Sequence, residues 1–480
     1  MRRWSQVVAT VIAAPAAAGM LLAFAGGSAL ARPAASPGGS TWRTAVEIPG
    51  LAALNTYGDA GVAAVSCAPK GYCAAGGSYG TGPQRGGPFA ASAVNGQWGQ
   101  VIEVPGMAAL STVGFAGVAS ISCPSAGNCA AGGYYNSLGH SQAFIVSQVN
   151  GTWRKAREVP GTAVLNAGRR AAVGSLSCAR AGYCTAVGSY TDTAGHLLGF
   201  AASEAGGTWH RAHPVPGLAA LDAGGSALLL SVSCRSAGTC SAGGYYTDAA
   251  GHVQAFVASQ ASGRWQPAQQ IPGLGALNSG GEARVVSVSC ATPGNCSAGG
   301  HYTDSASHQQ AFTADEVNGT WGSAQQVPAT ASLGKQAAVT SVSCAKAGNC
   351  AAGGWIDDGA GAFVASKSGG TWGDAQPVRG LGSPGDPPVA GYVTSVSCAS
   401  AGYCAAAGDY GAGEGTRVFV ADEIDGTWHD AMEITGTPPL FTNEDSGVSA
   451  LSCAPAGNCA AGGTSETGQN GYQAFVVSRH

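Results

Sequence analysis

Charge is scarce in this chain. Only 10% of its 480 residues are Asp, Glu, Lys or Arg, and lysine occurs five times. No basic stripe can be drawn from so few cations, which argues against nucleic acid or an acidic membrane as a partner. Long apolar runs are also missing after the first 31 residues, so no later segment could cross a bilayer. Nor does any later segment keep a 3.6-residue apolar period, which leaves little room for helix. No histidine stands in register with the cysteines, and that argues against tetrahedral zinc sites. No serine or cysteine nucleophile sits in a recognisable catalytic motif. Catalytic residues, metals and cofactors are therefore expected to be none.

Residues 1–31 read as a secretory leader. Arg2 and Arg3 form a basic start, an Ala/Val/Leu-rich run reaches Phe24, and Ala29-Leu30-Ala31 is a small-residue cleavage site. The arginine pair leaves Sec and twin-arginine export both open. Residues 32–40 (RPAASPGGS) read as a flexible lead-in. The mature chain, expected to be secreted, extracellular and monomeric, keeps 20 basic against 26 acidic residues, a formal charge of −6.

What the chain does have is repetition. A stretch of about 55 residues recurs eight times, each copy with one C-x5-C pair and one tryptophan, and such a period marks a repeated supersecondary unit. The pairs are Cys67–Cys73, Cys123–Cys129, Cys178–Cys184, Cys234–Cys240, Cys290–Cys296, Cys344–Cys350, Cys398–Cys404 and Cys453–Cys459, which uses all 16 cysteines. An even count, regular spacing and an oxidising destination point to disulfides within each pair. In the chain-entropy picture a loop this short stabilises by about 2 kcal/mol. The tryptophans that keep step are Trp42, Trp98, Trp153, Trp209, Trp265, Trp321, Trp372 and Trp428.

Each copy divides into four short segments of strand character with turn signals between them. In one copy these are Leu229–Cys234, Cys240–Tyr246, Gln254–Gln260 and Arg264–Ile271. The paired cysteines flank a tight hairpin, and a disulfide there pins a register that small-residue strands specify weakly. Asn150-Gly151, Asn318-Gly319 and Asp425-Gly426 read as type I′ turns between the third and fourth strands. The first two strands are built of Ser, Ala, Gly and Val, whereas the tryptophan sits in the fourth. Wedge-shaped blades crowd at an axis and widen outward, so this gradient predicts an all-β, eight-bladed β-propeller of four antiparallel strands per blade. The chain opens on an isolated tryptophan strand (41–48) and closes on three strands ending at 473–478. The N-terminal strand is thus expected to complete the last blade, making residues 41–480 a single domain without an open edge.

The order of strand, Gly-Gly, aromatic, Trp and Pro, carried by Gly243-Gly244, Phe256, Trp265 and Pro272, resembles the kelch repeat of β-propellers. The SVSC-x5-CAAGG signature resembles tandem repeats of secreted actinobacterial proteins with no assigned activity. The chain departs from kelch in its cysteine pair, in phenylalanine where kelch repeats carry tyrosine, and in Val187-Gly188 in place of Gly-Gly. The resemblance implies the architecture, and propellers host unrelated functions.

Candidate site residues cluster on the face holding the longer, more variable loops, those joining strands two to three and four to one. Tyr79, Tyr135, Tyr190, Tyr246, Tyr302 and Tyr410 end the second strand of six copies; they could stack on sugars or pack between blades. Asp192/His196, Asp248/His252 and Asp304/His308 suit either an acid–base relay or an Asp-capped turn. Symmetry breaks most in copies six to eight, with Trp355, Asp357, Asp358, Asp409, Glu414, Glu444, Asp445 and Glu466. An exposed Trp355 beside carboxylates could hold a glycan, a Ca²⁺ ion or a hydrolase centre, and a solvated acidic rim is the plainer account. The expected function is a non-catalytic binding or scaffold propeller recognising a glycan or an extracellular protein. Two alternatives stay open: a polysaccharide-acting enzyme using the acids of copies six to eight, and a plain spacer.

Overall fold

The first strand of each copy packs against the first strand of the next, in chain order, and that of the last copy packs against that of the first. In the fourth copy the strands are Ser226–Ser236, Thr239–Thr247, Val253–Ala261 and a fourth broken into Arg264–Trp265 and Gln269–Gln270. They pair antiparallel in that order, and the other copies repeat the plan. This computed structural model is an all-β propeller fold. It describes residues 41–111, 114–137, 139–359, 361–382, 389–412, 415–437, 440–441, 445–455, 457–467 and 471–479. The leader and lead-in lie outside the described residues.

All eight cysteine pairs are disulfides, with Cα–Cα separations of 3.9–4.1 Å. Asn150-Gly151, Asn318-Gly319 and Asp425-Gly426 have positive φ at both positions, as type I′ turns require. Helix is confined to single turns such as Leu51–Leu54 and Leu218–Leu221 in the four-to-one connections. These turns were not anticipated: one turn is too short to leave a periodic signature in sequence. The fourth strand was expected to be continuous, yet it breaks at 266–268, where Pro267 has no N–H to pair.

The N-terminal segment pairs with the C-terminal strand Gly471–Arg479, with Val46 opposite Val476, Glu47 opposite Phe475 and Trp42 bridging Arg479. Trp42 and Ile48 are buried there.

A serine ladder joins the copies. The backbone N–H of each copy's first cysteine donates to the serine just before the first cysteine of the preceding copy, as Cys123 does to Ser66 and Cys234 to Ser177. All eight such bonds are 2.8–3.0 Å long, and one runs from Cys67 to Ser452. Each lies partly buried and so contributes about 1 kcal/mol. The core between copies holds a phenylalanine of the third strand in every copy, from Phe89 to Phe475, all fully buried. Each faces the second glycine of the Gly-Gly pair across the sheet, as Phe256 faces Gly244.

Candidate functional site

Two faces follow from the antiparallel order. On one, the cysteine hairpin docks on the neighbouring Asn-Gly-type turn of its own copy, Gly151 N–H donating to Gly127 O at 2.8 Å. On the other, an asparagine after the helical turn rivets neighbouring copies together. Asn55 Nδ2 donates to Tyr472 O and Gln473 Oε1, both at 3.0 Å, while its Oδ1 accepts from Gly80 N–H. Asn166 and Asn278 repeat the arrangement. The loop face is thus a rigid rim, suited to holding side chains at fixed positions.

Most sequence-singled residues are absorbed by that frame. The six tyrosines are buried, Tyr246 and Tyr302 only 1% and 4% exposed, so their rings cannot stack on a sugar. Their hydroxyls face the fourth strand: Tyr135 donates to Glu158 at 3.1 Å, Tyr410 to Glu433 at 2.9 Å, and Gln270 donates to Tyr246. The Asp–His pairs are exposed turns, in which Asp192 Oδ1 accepts from the N–H groups of Ala194 and His196. Asp248 and Asp304 do the same. Asp357 caps a turn by accepting from Lys335 and Gln336 N–H at 2.6 and 2.9 Å.

Trp355 overturns an expectation. It is 2% exposed rather than a solvent-facing platform. The reason is its place directly after the Gly-Gly pair, opposite Ala338, in a strand that packs against the first strand of the next copy. The Asp358 side chain, Glu414 and Glu444 lie outside the described residues. Glu466 donates its backbone N–H to Asp445 O, and neither side chain is gathered with Asp357 by any contact among the described residues.

Asp409 stands at the same post-glycine position in copy seven. It has no hydrogen-bond or ion-pair partner among the described residues, and burial pushes its carboxyl up to about 7. Its folded-state value exceeds its unfolded one, so the folded protein binds the proton more tightly. Stability is therefore highest below about pH 4 in this respect, falls as pH rises to 7, and is flat above. Asp409→Asn is expected to raise stability at pH 8 by on the order of 2 kcal/mol and to leave it unchanged at pH 4. Urea midpoints at the two pH values check this; an equal shift at both would assign the effect to packing.

The position of Asp409 is the one that sequence reading missed. Immediately after the glycine pair the copies carry Ser78, Tyr134, Ser189, Tyr245, His301, Trp355, Asp409 and Thr464, in a strand otherwise nearly invariant. Directly opposite on the first strand stand Gly61, Gly117, Ala172, Leu228, Arg284, Ala338, Tyr392 and Gly447. Several of these side chains lean on the first strand of the next copy: Arg284 lies 4.4 Å over the Tyr245 ring, and Thr464 occupies the space beside Gly61, whereas Tyr134 lies against Gly117 and Phe115 of its own copy. Since the first strands are the ones packed together in the middle, these residues surround the loop-face mouth of the axis. Aligning the copies column by column would have exposed this variable column.

In one sector of the mouth charged groups are gathered against one another, although the buried His301 Nε2 makes no hydrogen bond among the described residues. Glu282 Oε1 lies 2.8 Å from Arg284 Nε and 3.6 Å from the buried His301 Nε2. His301 first, against the opposing effect of burial, and then Arg284 hold the Glu282 carboxyl down to about 2. Elsewhere, Glu316 lies against Cys290 and Cys296, but those sulfurs are joined to each other. Its oxygens accept from Ser241 and Ser259 at 2.7 and 2.6 Å, so the group is a buried hydrogen-bond cluster.

No family model matches the chain, and no curated protein matches it. Among solved structures it is similar to Sqt1 of Chaetomium thermophilum, 11% identical over 91% of this chain and 97% of that one, with a TM-score of 0.51. Sqt1 bound to the N-terminus of ribosomal protein L10 is 12% identical over 90% and 98%, with a TM-score of 0.50. A six-bladed β-propeller lectin of Aleuria aurantia is 13% identical over 63% and 90%, with a TM-score of 0.33. At such identity the Sqt1 likeness is one of fold alone.

Proposed function

We propose that the protein is an exported, non-catalytic binding propeller that recognises an extracellular glycan at the loop-face mouth of its axis. In this reading the eight copies are eight blades of one kelch-like domain, 41–480, closed by the N-terminal strand. The serine ladder that links every copy to the next, Cys67 to Ser452 included, supports that closure. Disulfides suit an oxidising compartment, and no helix among the described residues is long and apolar enough to cross a membrane.

The observation that carries the binding reading is where variation lies. Within the core of strand two, side chains differ most between copies at the post-glycine position, and that position faces the mouth. At that position His301 and Trp355 are buried, whereas Tyr134, Tyr245 and Asp409 stay partly exposed, and a spacer has no physical need for them there. Partly exposed aromatic and carboxylate side chains on a rigid rim suit sugars, which offer C–H faces and hydroxyl donors.

One observation favours the catalytic alternative: Asp409, near 7, could serve as a general acid. The test is to incubate the oxidised protein with cell-wall and plant polysaccharides and to measure retention and released sugars together. Retention without release is expected. Release that disappears in Asp409→Asn would replace the binding reading with a hydrolytic one, and neither retention nor release would leave a spacer.

A further inference from the structure

The mouth is not uniform, and its sectors differ in how far their aromatic rings reach solvent. Around Glu282, Arg284, Tyr245 and His301 the charged groups and the ring lie against one another, as described. Across the seam between the last copy and the first two, aromatic rings stand out into solvent. Tyr57 is 54% exposed and Tyr472 is 41% exposed, the two large aromatic side chains that protrude most on this face among the described residues.

Backbone pairing holds these two residues around Asp59. Asp59 bridges Tyr472 in parallel, with Tyr472 N–H donating to Gly58 O at 2.7 Å and Ala60 N–H to Tyr472 O at 3.0 Å. Tyr57 N–H donates to Gly80 O at 3.0 Å. A side chain at Gly80 would come within 3.0 Å of Asp59 Cβ and 3.4 Å of Tyr57 Cβ, so glycine keeps the space between them open. Copies three to five have glycine where Tyr57 stands (Gly168, Gly224 and Gly280), which makes the tyrosine a departure rather than part of the repeat.

The Asp59 N–H donates to Asn55 Oδ1 at 2.8 Å, while its carboxyl group has no hydrogen-bond or ion-pair partner among the described residues. Its carboxyl is raised by burial, and its charge, after burial itself, helps push the Tyr134 hydroxyl up to about 12. Tyr134 in turn packs against Phe115, ring centroids 6.4 Å apart. The seam thus presents two exposed rings, two half-buried rings behind them and one acceptor-only group. A carboxylate of this kind needs donors, and the rings need a flat apolar partner with polar edges. An anionic polymer would meet an uncompensated carboxylate and be repelled.

Resting on the glycan reading above, we propose that the ligand is a polysaccharide of neutral or amino sugars, seated between Tyr57 and Tyr472 with its hydroxyl or amine donors on Asp59. The pyranose C–H face lies on the tyrosines, and the mouth residues beyond Asp59 limit how the chain continues. This places the ligand at the seam where the two ends of the chain meet, so binding and closure of the N-terminal segment reinforce each other.

The test uses the full oxidised mature chain with cello-, chito- and chitosan oligomers, alginate and polylysine as probes, read by affinity electrophoresis and calorimetry. A Tyr57→Ala/Tyr472→Ala double variant is expected to lose at least tenfold in affinity for the neutral or amino-sugar oligomer that binds. Asp59→Asn is expected to lose about fivefold or more for chitosan oligomers and less for cello-oligomers. Tyr403→Ala, an exposed tyrosine on the opposite face, is expected to change binding by less than twofold. Unchanged melting temperatures establish that both tyrosine substitutions leave the fold intact. Tight oligosaccharide binding that survives the double variant would overturn the seam and leave the glycan reading standing. Preference for alginate or polylysine would overturn the ligand class, and binding to no saccharide would overturn both proposals.

Discussion

Deleting residues 41–50 is expected to destabilise the protein by on the order of 5 kcal/mol, the loss from uncovering the sites that Trp42 and Ile48 fill. The segment is short, but most of its links are non-local. Arg43 N–H donates to Ser478 O at 3.0 Å and Ala45 N–H to Thr435 O at 2.8 Å; Thr437 N–H returns a bond to Ala45 O at 3.0 Å. Val101 N–H reaches Pro49 O at 2.8 Å, so the same ten residues also tie the last copy to the first. Removing them bares the outer edge of Gly471–Arg479 from Phe475 onward, an unpaired row of N–H and C=O groups that invites strand addition. Two readouts are therefore expected together: a lowered denaturation midpoint, and concentration-dependent association on size exclusion. An unchanged midpoint would mean that the ends are held by something other than this strand.

The second large effect is expected from one methyl group. Gly244→Ala would place a Cβ 1.8 Å from Leu228 O, a backbone atom that cannot rotate away. The same clash recurs at Gly77, Gly133, Gly188, Gly300, Gly354, Gly408 and Gly463, at 1.8–2.0 Å from the equivalent carbonyl. Its cause is the bulge in each first strand, which between Leu229 and Ser231 shifts register and turns a carbonyl toward the glycine. We expect Gly244→Ala to cost about 3 kcal/mol or more, at the upper end for overpacking. The neighbouring Gly243→Ala is expected to cost less, about 1–2 kcal/mol, since the atoms it meets belong to the side chains of Val285 and Val288 rather than to the backbone. The protein already contains that experiment: Ala407 stands at the equivalent place in copy seven and Val187 in copy three. Where Val187 intrudes, Gly199 on the third strand gives its space to Leu229, whose Cδ1 lies 2.3 Å from where a Cβ would be. Equal costs at 243 and 244 would refute this distinction between side-chain and backbone contact.

These two cases show which parts of the molecule are legible in sequence. Within a copy, the pairing of Cys234 with Cys240 and the type I′ turns depend on residues less than ten apart, so spacing and turn chemistry reveal them directly. The Gly-Gly signature is visible in the same way, but its two glycines look equivalent on paper. Only the first-strand bulge and the next copy's valine distinguish them. Val187-Gly188 looked like a departure from the repeat, whereas the structure shows the tolerant position varying and the intolerant one kept.

The candidate site was legible in part. Asp409 was singled out for the acids around it, and its importance rests instead on its column, shared with Tyr134, His301 and Trp355. The tyrosines ending the second strand were correctly recognised as a repeated feature with a packing explanation available. Their hydroxyl partners on the fourth strand, such as Glu158 and Glu433, lie 23 residues away and carry no signal of their own.

The amino-acid sequence by itself determined the repeat, the strand order, the hairpin disulfides and the small-to-bulky gradient from the first strand to the fourth. All of these are local or periodic, and a chain that writes one unit eight times states them eight times. Tertiary structure alone decided which side chains meet the neighbouring copy, about 56 residues away, and which meet water. Burial of Trp355, exposure of Tyr57 and Tyr472, and the Asp59 and Asp409 carboxyl groups without partners among the described residues all depend on how adjacent sheets twist and pack together. That geometry arises only when the copies assemble, because a strand face is solvent-exposed or buried according to what its neighbour places against it.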